Sequence, residues 1–285
     1  MIVTIYPNLT REQAPVVTRR IVASLTKYGI SWGLFDRTCA AFPDLTPDVV
    51  VTEDDFQNTT DVMIAVGGDG SMIRCAKLAC QYGIPVLGVN AGHLAYLTGL
   101  ENDETDLLGK LPQGLFSRTD RTMLTVEVQS PDGTVMFQDE CLNDIVFARG
   151  EQIKLCRLDV YCGTSLVNRY TSDGLIFATP TGSTAYNLAA GGPIVDPGAD
   201  VVLLTPICPH SLTERTVIFS SDSAFTVENT PRNTCAVSIS CDGEPAVSFP
   251  DGYRAVIRKS SHTAAFLSVK EDTFLDVLTQ KMKRR

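Results

Sequence analysis

The sequence predicts an α/β N-terminal domain with a Rossmann-like parallel sheet, then an all-β, sandwich-like C-terminal domain, then a closing helix. Three observations carry this. An apolar run at residues 61–66 ends in the glycine turn Gly67-Gly68-Asp69-Gly70-Ser71 and passes into helical spacing. Beyond about residue 117 the chain changes to short alternating runs separated by turns. A last stretch, residues 273–282, repeats its apolar residues at Phe274, Val277, Leu278 and Met282, as a helix docked by one face requires.

Each element has its own signal. Residues 2–6 read as a strand that Pro7-Asn8 ends, and residues 11–28 carry Val17, Ile21 and Leu25 at helical spacing until Gly29 stops them. Residues 32–35 fit a second strand. Residues 61–66 form a short run, apolar after Asp61, as a strand buried on both faces requires, and the glycine turn follows at its carboxyl end. A helix over 71–82 and a strand over 84–89 complete a β-α-β unit whose turn lies where open α/β sheets take ligands. Strands are then expected at 124–128 and 135–137 about the hairpin turn Pro131-Asp132-Gly133, and at 158–161, 166–167, 201–204, 217–219, 225–227 and 236–239. Only 183–190 reads as helix within that region. The expected division is residues 1–118, 119–262 and 263–285, the last a strand and helix packing back on the first domain.

Composition narrows the function classes. Of 285 residues, 44% are apolar and 20% charged, the balance of a water-soluble globular protein. No run approaches the ~18 apolar residues of a membrane span, and the start of the chain has no leader-like pattern, so no membrane partner and a cytoplasmic location are expected. A net charge of −9 weighs against nucleic acid, since binding its backbone takes clustered cations. The one dense basic run, residues 281–285, reads as a solvated helix end suited to the helix dipole. The acidity also means that an anionic substrate needs local Arg, Lys, backbone amides or a divalent cation, and Mg2+ is the expected ion; its ligands are not identifiable. Nine cysteines without C-x-x-C spacing read as small buried side chains in a reducing compartment. His93, His210 and His262 lack metal-ligand spacing.

Two glycine-rich turns carry the chemistry: the Gly67 turn, and Ser172-Asp173-Gly174 running into Thr179-Pro180-Thr181-Gly182-Ser183-Thr184-Ala185-Tyr186. Glycine lets backbone N–H groups approach phosphate oxygens, and an aspartate beside it accepts ribose hydroxyls. Neither the P-loop pattern nor G-x-G-x-x-G nor a nucleophile elbow occurs. Asp69 at a strand-to-helix turn suits a helix N-cap as well as a general base, and Asn143-Asp144 suits a turn as well as a nucleoside site.

With the blocks GGDGSMIRCA from Gly67, NAGHLAYLT from Asn90, LNDIVFARG from Leu142, SDGLIFATPTGSTAYNLAAGGPIVDP from Ser172 and PICPHSL from Pro206, the chain resembles the NAD kinase family over residues 61–212. A weaker match covers Ser240-Cys241-Asp242-Gly243-Glu244. The resemblance implies a phosphotransferase that moves the γ-phosphoryl of ATP, or of polyphosphate, to the 2′-hydroxyl of the adenosine ribose of NAD, with the active site between two domains and a homodimeric or homotetrameric assembly. It implies Asp69 as catalytic base. Gly70 and Arg74 would face phosphates, and Asn143 and Asp144 would hold NAD. Asp173, Thr184, Ala185, Tyr186, Asn187, Leu188 and Ala189 fall at further NAD-binding positions, with Lys154 and Glu244 as additional contacts. Tyr186 is expected either to pack its ring on a base or to lie in the core. Where the family has Gly-Phe this chain has Ala95-Tyr96, a change of loop shape. Sugar and lipid kinases share the G-G-D-G turn, but the block from Ser172 favours a dinucleotide acceptor. A non-catalytic NAD sensor is the alternative of another class.

Overall fold

In the computed structural model, which describes residues 1–92, 95–150, 154–230 and 235–283, the chain divides into two units, Met1–Asp120 with Ala264–Arg285, and Arg121–Thr263. His93, Arg284 and Arg285 lie outside the described residues, as do the side chains of residues 280–283.

The first unit alternates strand and helix: β1 (Ile2–Pro7), α1 (Ala14–Lys27), β2 (Ser31–Phe35), α2 (Asp36–Cys39), β3 (Val49–Val51), α3 (Phe56–Thr59), β4 (Val62–Gly67), α4 (Asp69–Cys80) and β5 (Val86–Asn90). These strands pair in parallel in the order β5-β4-β1-β2-β3. Beyond β5 the sheet gains Phe266, opposite Val86 and also parallel. Every residue of β4 is buried, the pattern of a central strand covered on both faces. Helix α1 carries a proline in its first turn, buries Val17, Ile21 and Leu25 on one face, and ends before Gly29, whose φ of 66° is left-handed. Helix α4 begins at Asp69, two residues before the expected start at Ser71, so the aspartate belongs to the helix's first turn.

The second unit is built from β6 (Ser117–Gln129), β7 (Val135–Cys141), β8 (Asp144–Arg149), β9 (Cys156–Cys162), β10 (Ser165–Ser172), β11 (Gly174–Ala178), α5 (Tyr186–Ala189), β12 (Val201–Ile207), β13 (Val217–Ser220), β14 (Phe225–Asn229), β15 (Val237–Cys241), β16 (Val247–Ser248) and β17 (Arg254–Ser268), whose last residues pass into the first unit. One antiparallel sheet runs β13-β12-β11-β8-β15-β16. The other runs β10-β9-β14-β17, with β6 beside β17 and β7 beside β6. Alternating inward residues of both sheets share one core: Phe177 of the first meets Phe225 of the second at 5.2 Å between ring centroids. Such stacking of two sheets over a common apolar layer is the sandwich arrangement.

The helix expected over 183–190 is instead two short turns. A 3-10 turn, Thr181–Thr184, precedes α5, and Ala185 between them has φ −92° and ψ −128°, which no helix allows. Ser, Thr and Gly compete for local hydrogen bonds and so favour caps and turns over a continuous helix. The closing helix α6 (Phe274–Lys283) forms as its spacing predicts, and Thr273 caps it by accepting the N–H of Asp276 while donating to the Asp276 carboxylate. Its apolar face is only half-buried at Phe274, Val277 and Leu278. Among the cysteines, Cys208 departs from expectation: it is exposed, with φ 44°. Among the described residues no helix is long and apolar enough to cross a membrane.

Candidate active site

In the first unit the site residues gather where β4 turns into α4. A Cβ on Gly67 would lie 2.2 Å from Ser71 Oγ, so only glycine lets the strand fold so tightly onto the helix start. No side chain caps α4, which leaves helix-terminal N–H groups without an intrahelical partner. The Asp69 carboxylate turns back to the loop after β5: Oδ1 accepts the N–H groups of Tyr96 and Leu97, both at 2.7 Å, and Oδ2 accepts Tyr96 at 2.9 Å. An ionised carboxylate offers about four acceptor positions, so these bonds fix its plane and leave acceptor capacity for one more donor.

That loop is itself anchored. Asn90, 1% exposed, accepts the N–H of Gly92 and donates to Glu101 at 2.9 Å. Gly88 packs against Thr98 so closely that a Cβ would stand 2.8 Å from Thr98 Cα. Ala95, one of the two departures from the family pattern, is buried, and its neighbour Tyr96 serves Asp69 through its main chain, which a change of side chain leaves intact.

Beside the turn lies a polar cavity of about 280 Å³ lined by Asn8, Thr10, Arg11, Gly68, Gly70, Ser71 and Arg74. Asn8 donates to Ser71 Oγ at 3.0 Å and accepts from Thr10, so the end of β1 shapes one wall. Two arginines converge on this space from β1's following loop and from α4. In a chain with 33 acidic residues against 24 basic ones, such a local concentration of cations is suited to an anion.

In the second unit the remaining residues collect around the start of β8. Asp144 is 5% exposed, and burial together with the nearby Asp242 charge pushes its carboxyl up to about 7, against the opposing backbone N–H of Tyr186. Asn143 Oδ1 is buried and has no hydrogen-bond partner among the described residues. A buried polar atom left without a partner is costly in a folded protein and points to a missing one. Backbone contacts hold the pair in place: Thr179 N–H donates to the Asn143 carbonyl at 2.9 Å, Thr179 Oγ1 donates to the Leu142 carbonyl, and Gly182 packs so tightly that a Cβ would lie 2.0 Å from the Asn143 oxygen.

The other expected contacts divide. Tyr186 is 45% exposed, which removes the core alternative for its ring. Asn187 is fully buried and spends its amide internally, donating to the Ser183 and Pro193 carbonyls and accepting from Thr205, so its side chain frames the turn. Thr184, Ala185 and Leu188 are half-buried beside it and Ala189 is exposed. Asp173 pairs with Arg149 at 2.7 Å. Lys154 and Glu244 are exposed, and neither side chain joins this cluster through a hydrogen bond or ion pair among the described residues. Three residues of the site carry no signal of their own in the sequence: Arg149, Asn8 and, above all, Asp242, whose carboxylate receives the N–H groups of residues 142–144. The weaker family match over residues 240–244 spans Asp242 without giving it a role. Among the described residues no three His, Cys, Asp or Glu side chains group as a metal cage.

A carboxylate-bearing glycine turn at the carboxyl end of a parallel sheet, and a buried Asn-Asp pair with unused acceptor capacity, are the equipment of a nucleotide-binding protein. Residues 36–111 match the ATP-NAD kinase N-terminal domain and residues 142–269 the ATP-NAD kinase C-terminal domain. The chain belongs to the NAD kinase family, phosphotransferases that make NADP from NAD using ATP. It is 35% identical to the NAD kinase of Caldanaerobacter subterraneus over 99% of both chains, and 37% identical to that of Symbiobacterium thermophilum over 83% of both. In fold it is similar to yeast NADH kinase complexed with NADH, at a TM-score of 0.90 and 24% identity, covering 99% of this chain and 87% of that one. It is likewise similar to an NAD kinase from Archaeoglobus fulgidus in complex with ATP, at a TM-score of 0.73 and 24% identity, covering 100% and 98%.

Proposed function

We propose that this chain is an NAD kinase in which Asp69 is the general base. Its remaining acceptor position takes the 2′-hydroxyl of the adenosine ribose. As the hydroxyl oxygen bonds to the γ-phosphorus, its proton passes to the carboxylate, and the bond from that phosphorus to the β–γ bridging oxygen breaks, releasing ADP. The backbone bonds from Tyr96 and Leu97 keep the carboxylate from rotating, so its contribution is one of position as well as basicity.

Asn143 and Asp144 hold the dinucleotide. The single observation that carries this is the buried Asn143 Oδ1 with no partner, beside a carboxylate whose burial favours a proton-donating ligand. The exposed ring of Tyr186 offers a face to a base. Arg74, Arg11 and the amides of Gly68 and Gly70 take the phosphates of the donor in the cavity they line. Magnesium, when bound with the triphosphate, neutralises part of its charge. ATP is the donor in this reading, with polyphosphate as a second substrate of the same chemistry, and the protein works in the cytoplasm as a homodimer or homotetramer.

NADP formation by the purified chain, supplied with NAD, magnesium and either ATP or polyphosphate, tests the reading. Product with either donor supports it and identifies the donor. NAD binding without product from either would leave a nucleotide sensor instead.

A further inference from the structure

Asp242 follows β15 with a φ of 51°, a left-handed conformation that glycine and asparagine adopt more readily than aspartate. Gly243 continues the turn with φ 74°. Nothing in a turn of this kind needs a carboxylate, yet this one reaches about a hundred residues back along the chain. Oδ2 accepts the N–H of Leu142 at 2.8 Å, and Oδ1 accepts those of Asn143 at 2.7 Å and Asp144 at 3.2 Å. The N–H of Asp242 donates in return to the Asp144 carbonyl at 3.0 Å.

Three successive main-chain donors thus end on one side chain. Asn and Asp ordinarily fold back onto neighbouring backbone N–H groups. Here those groups are already taken, which leaves the Asn143 amide oxygen unused and the Asp144 carboxylate to face inward. From this we infer that Asp242 is a positioning residue for NAD, clamping residues 142–144 so that the Asn143 and Asp144 side chains stay available to the dinucleotide. The inference rests on the reading that this pair holds NAD.

Asp242→Asn and Asp242→Gly test it, because both residues tolerate the left-handed backbone and would suit a turn with no further duty. Asparagine sets an NH2 group against a backbone donor, and glycine removes the clamp. Both variants should raise KM for NAD by about tenfold or more, as a small misplacement of a binding pair does, while KM for ATP stays within about twofold. The acid limb of kcat/KM for NAD should also move to lower pH in both, since the Asp242 charge no longer opposes ionisation of Asp144, whose other close group is the Tyr186 N–H. Unfolding curves without ligand show whether each variant is folded. Folded variants with unchanged KM for NAD, while Asp144→Asn raises it, would overturn the positioning role alone. If Asp144→Asn and Asn143→Ala also leave KM for NAD unchanged, the assignment of the pair fails and the inference falls with it. Loss of the fold in both Asp242 variants would overturn it as well, making Asp242 a folding residue.

Discussion

The Asp69 carboxylate accepts the backbone N–H of Tyr96 through both of its oxygens, at 2.7 and 2.9 Å. A residue of helix α4 is thereby tied to the loop that follows β5, and the orientation of the proposed base depends on main-chain atoms of that loop. Tyr96→Phe, which keeps the N–H and removes only the hydroxyl of a half-buried ring, should therefore retain turnover within about threefold. Steady-state rates at saturating NAD and ATP check this, and a loss of a hundredfold would show that the tyrosine hydroxyl has a role of its own.

Asp144 makes stability depend on pH in a direction opposite to that of most carboxylates. Its folded-state carboxyl titrates at about 7 against an ordinary 3.8, because burial and the Asp242 charge disfavour the ion. A raised pKa contributes stability that is present below the unfolded value and lost as pH rises through the folded one. Asp144→Asn stays neutral throughout, so without ligand its Tm should exceed that of the wild type at pH 8, and the gap should narrow toward pH 4. The same variant should bind NAD more weakly. Thermal melts across this range, with and without NAD, measure both effects.

Arg11 and Arg74 line the polar cavity beside the glycine turn. A charge-assisted hydrogen bond to a phosphate is worth about 1.5 kcal/mol or more, roughly tenfold in affinity. Arg74→Ala and Arg11→Ala should each raise KM for ATP by about that factor and leave KM for NAD nearly constant. The effect should shrink with added salt, because exposed charges are screened. A change confined to KM for NAD would place the donor elsewhere.

Gly182→Ala puts a Cβ 2.0 Å from the Asn143 carbonyl oxygen, where there is no room for it. Forcing the backbone apart should destabilise the chain by about 1–3 kcal/mol and displace Asn143 with it. Gly70→Ala meets no atom within 4 Å and serves as the control of similar chemistry for stability. Denaturant unfolding of the two variants distinguishes a packing effect from a general loss of glycine.

The β4-to-α4 turn was legible in the sequence because a fully apolar run and a cluster of glycines are local signals that leave few conformations open. The two-part plan, α/β and then β-rich, was legible for the same reason, since strand and helix periodicities differ over short windows. The helix expected over residues 183–190 breaks at Ala185, where Ser183 and Asn187 bond to Val195, Pro193 and Thr205, partners that no local spacing reveals. Asp242 was not legible as a clamp: its three donors lie about a hundred residues away, and no spacing rule connects them. Arg149 escaped notice likewise, since its pairing with Asp173 exists only once β8 and β11 lie side by side.

Asp69 is proposed to take the proton of the NAD 2′-hydroxyl, and the decisive comparison is single-turnover formation of NADP by Asp69→Asn beside the wild type. Asparagine keeps the shape and one carbonyl acceptor but cannot take up the proton. The variant's rate should be lower by at least about a hundredfold, the order that general-base catalysis contributes, with NAD and ATP affinities changed little and the melting curve preserved. A folded Asp69→Asn protein that makes NADP at the wild-type rate would contradict it.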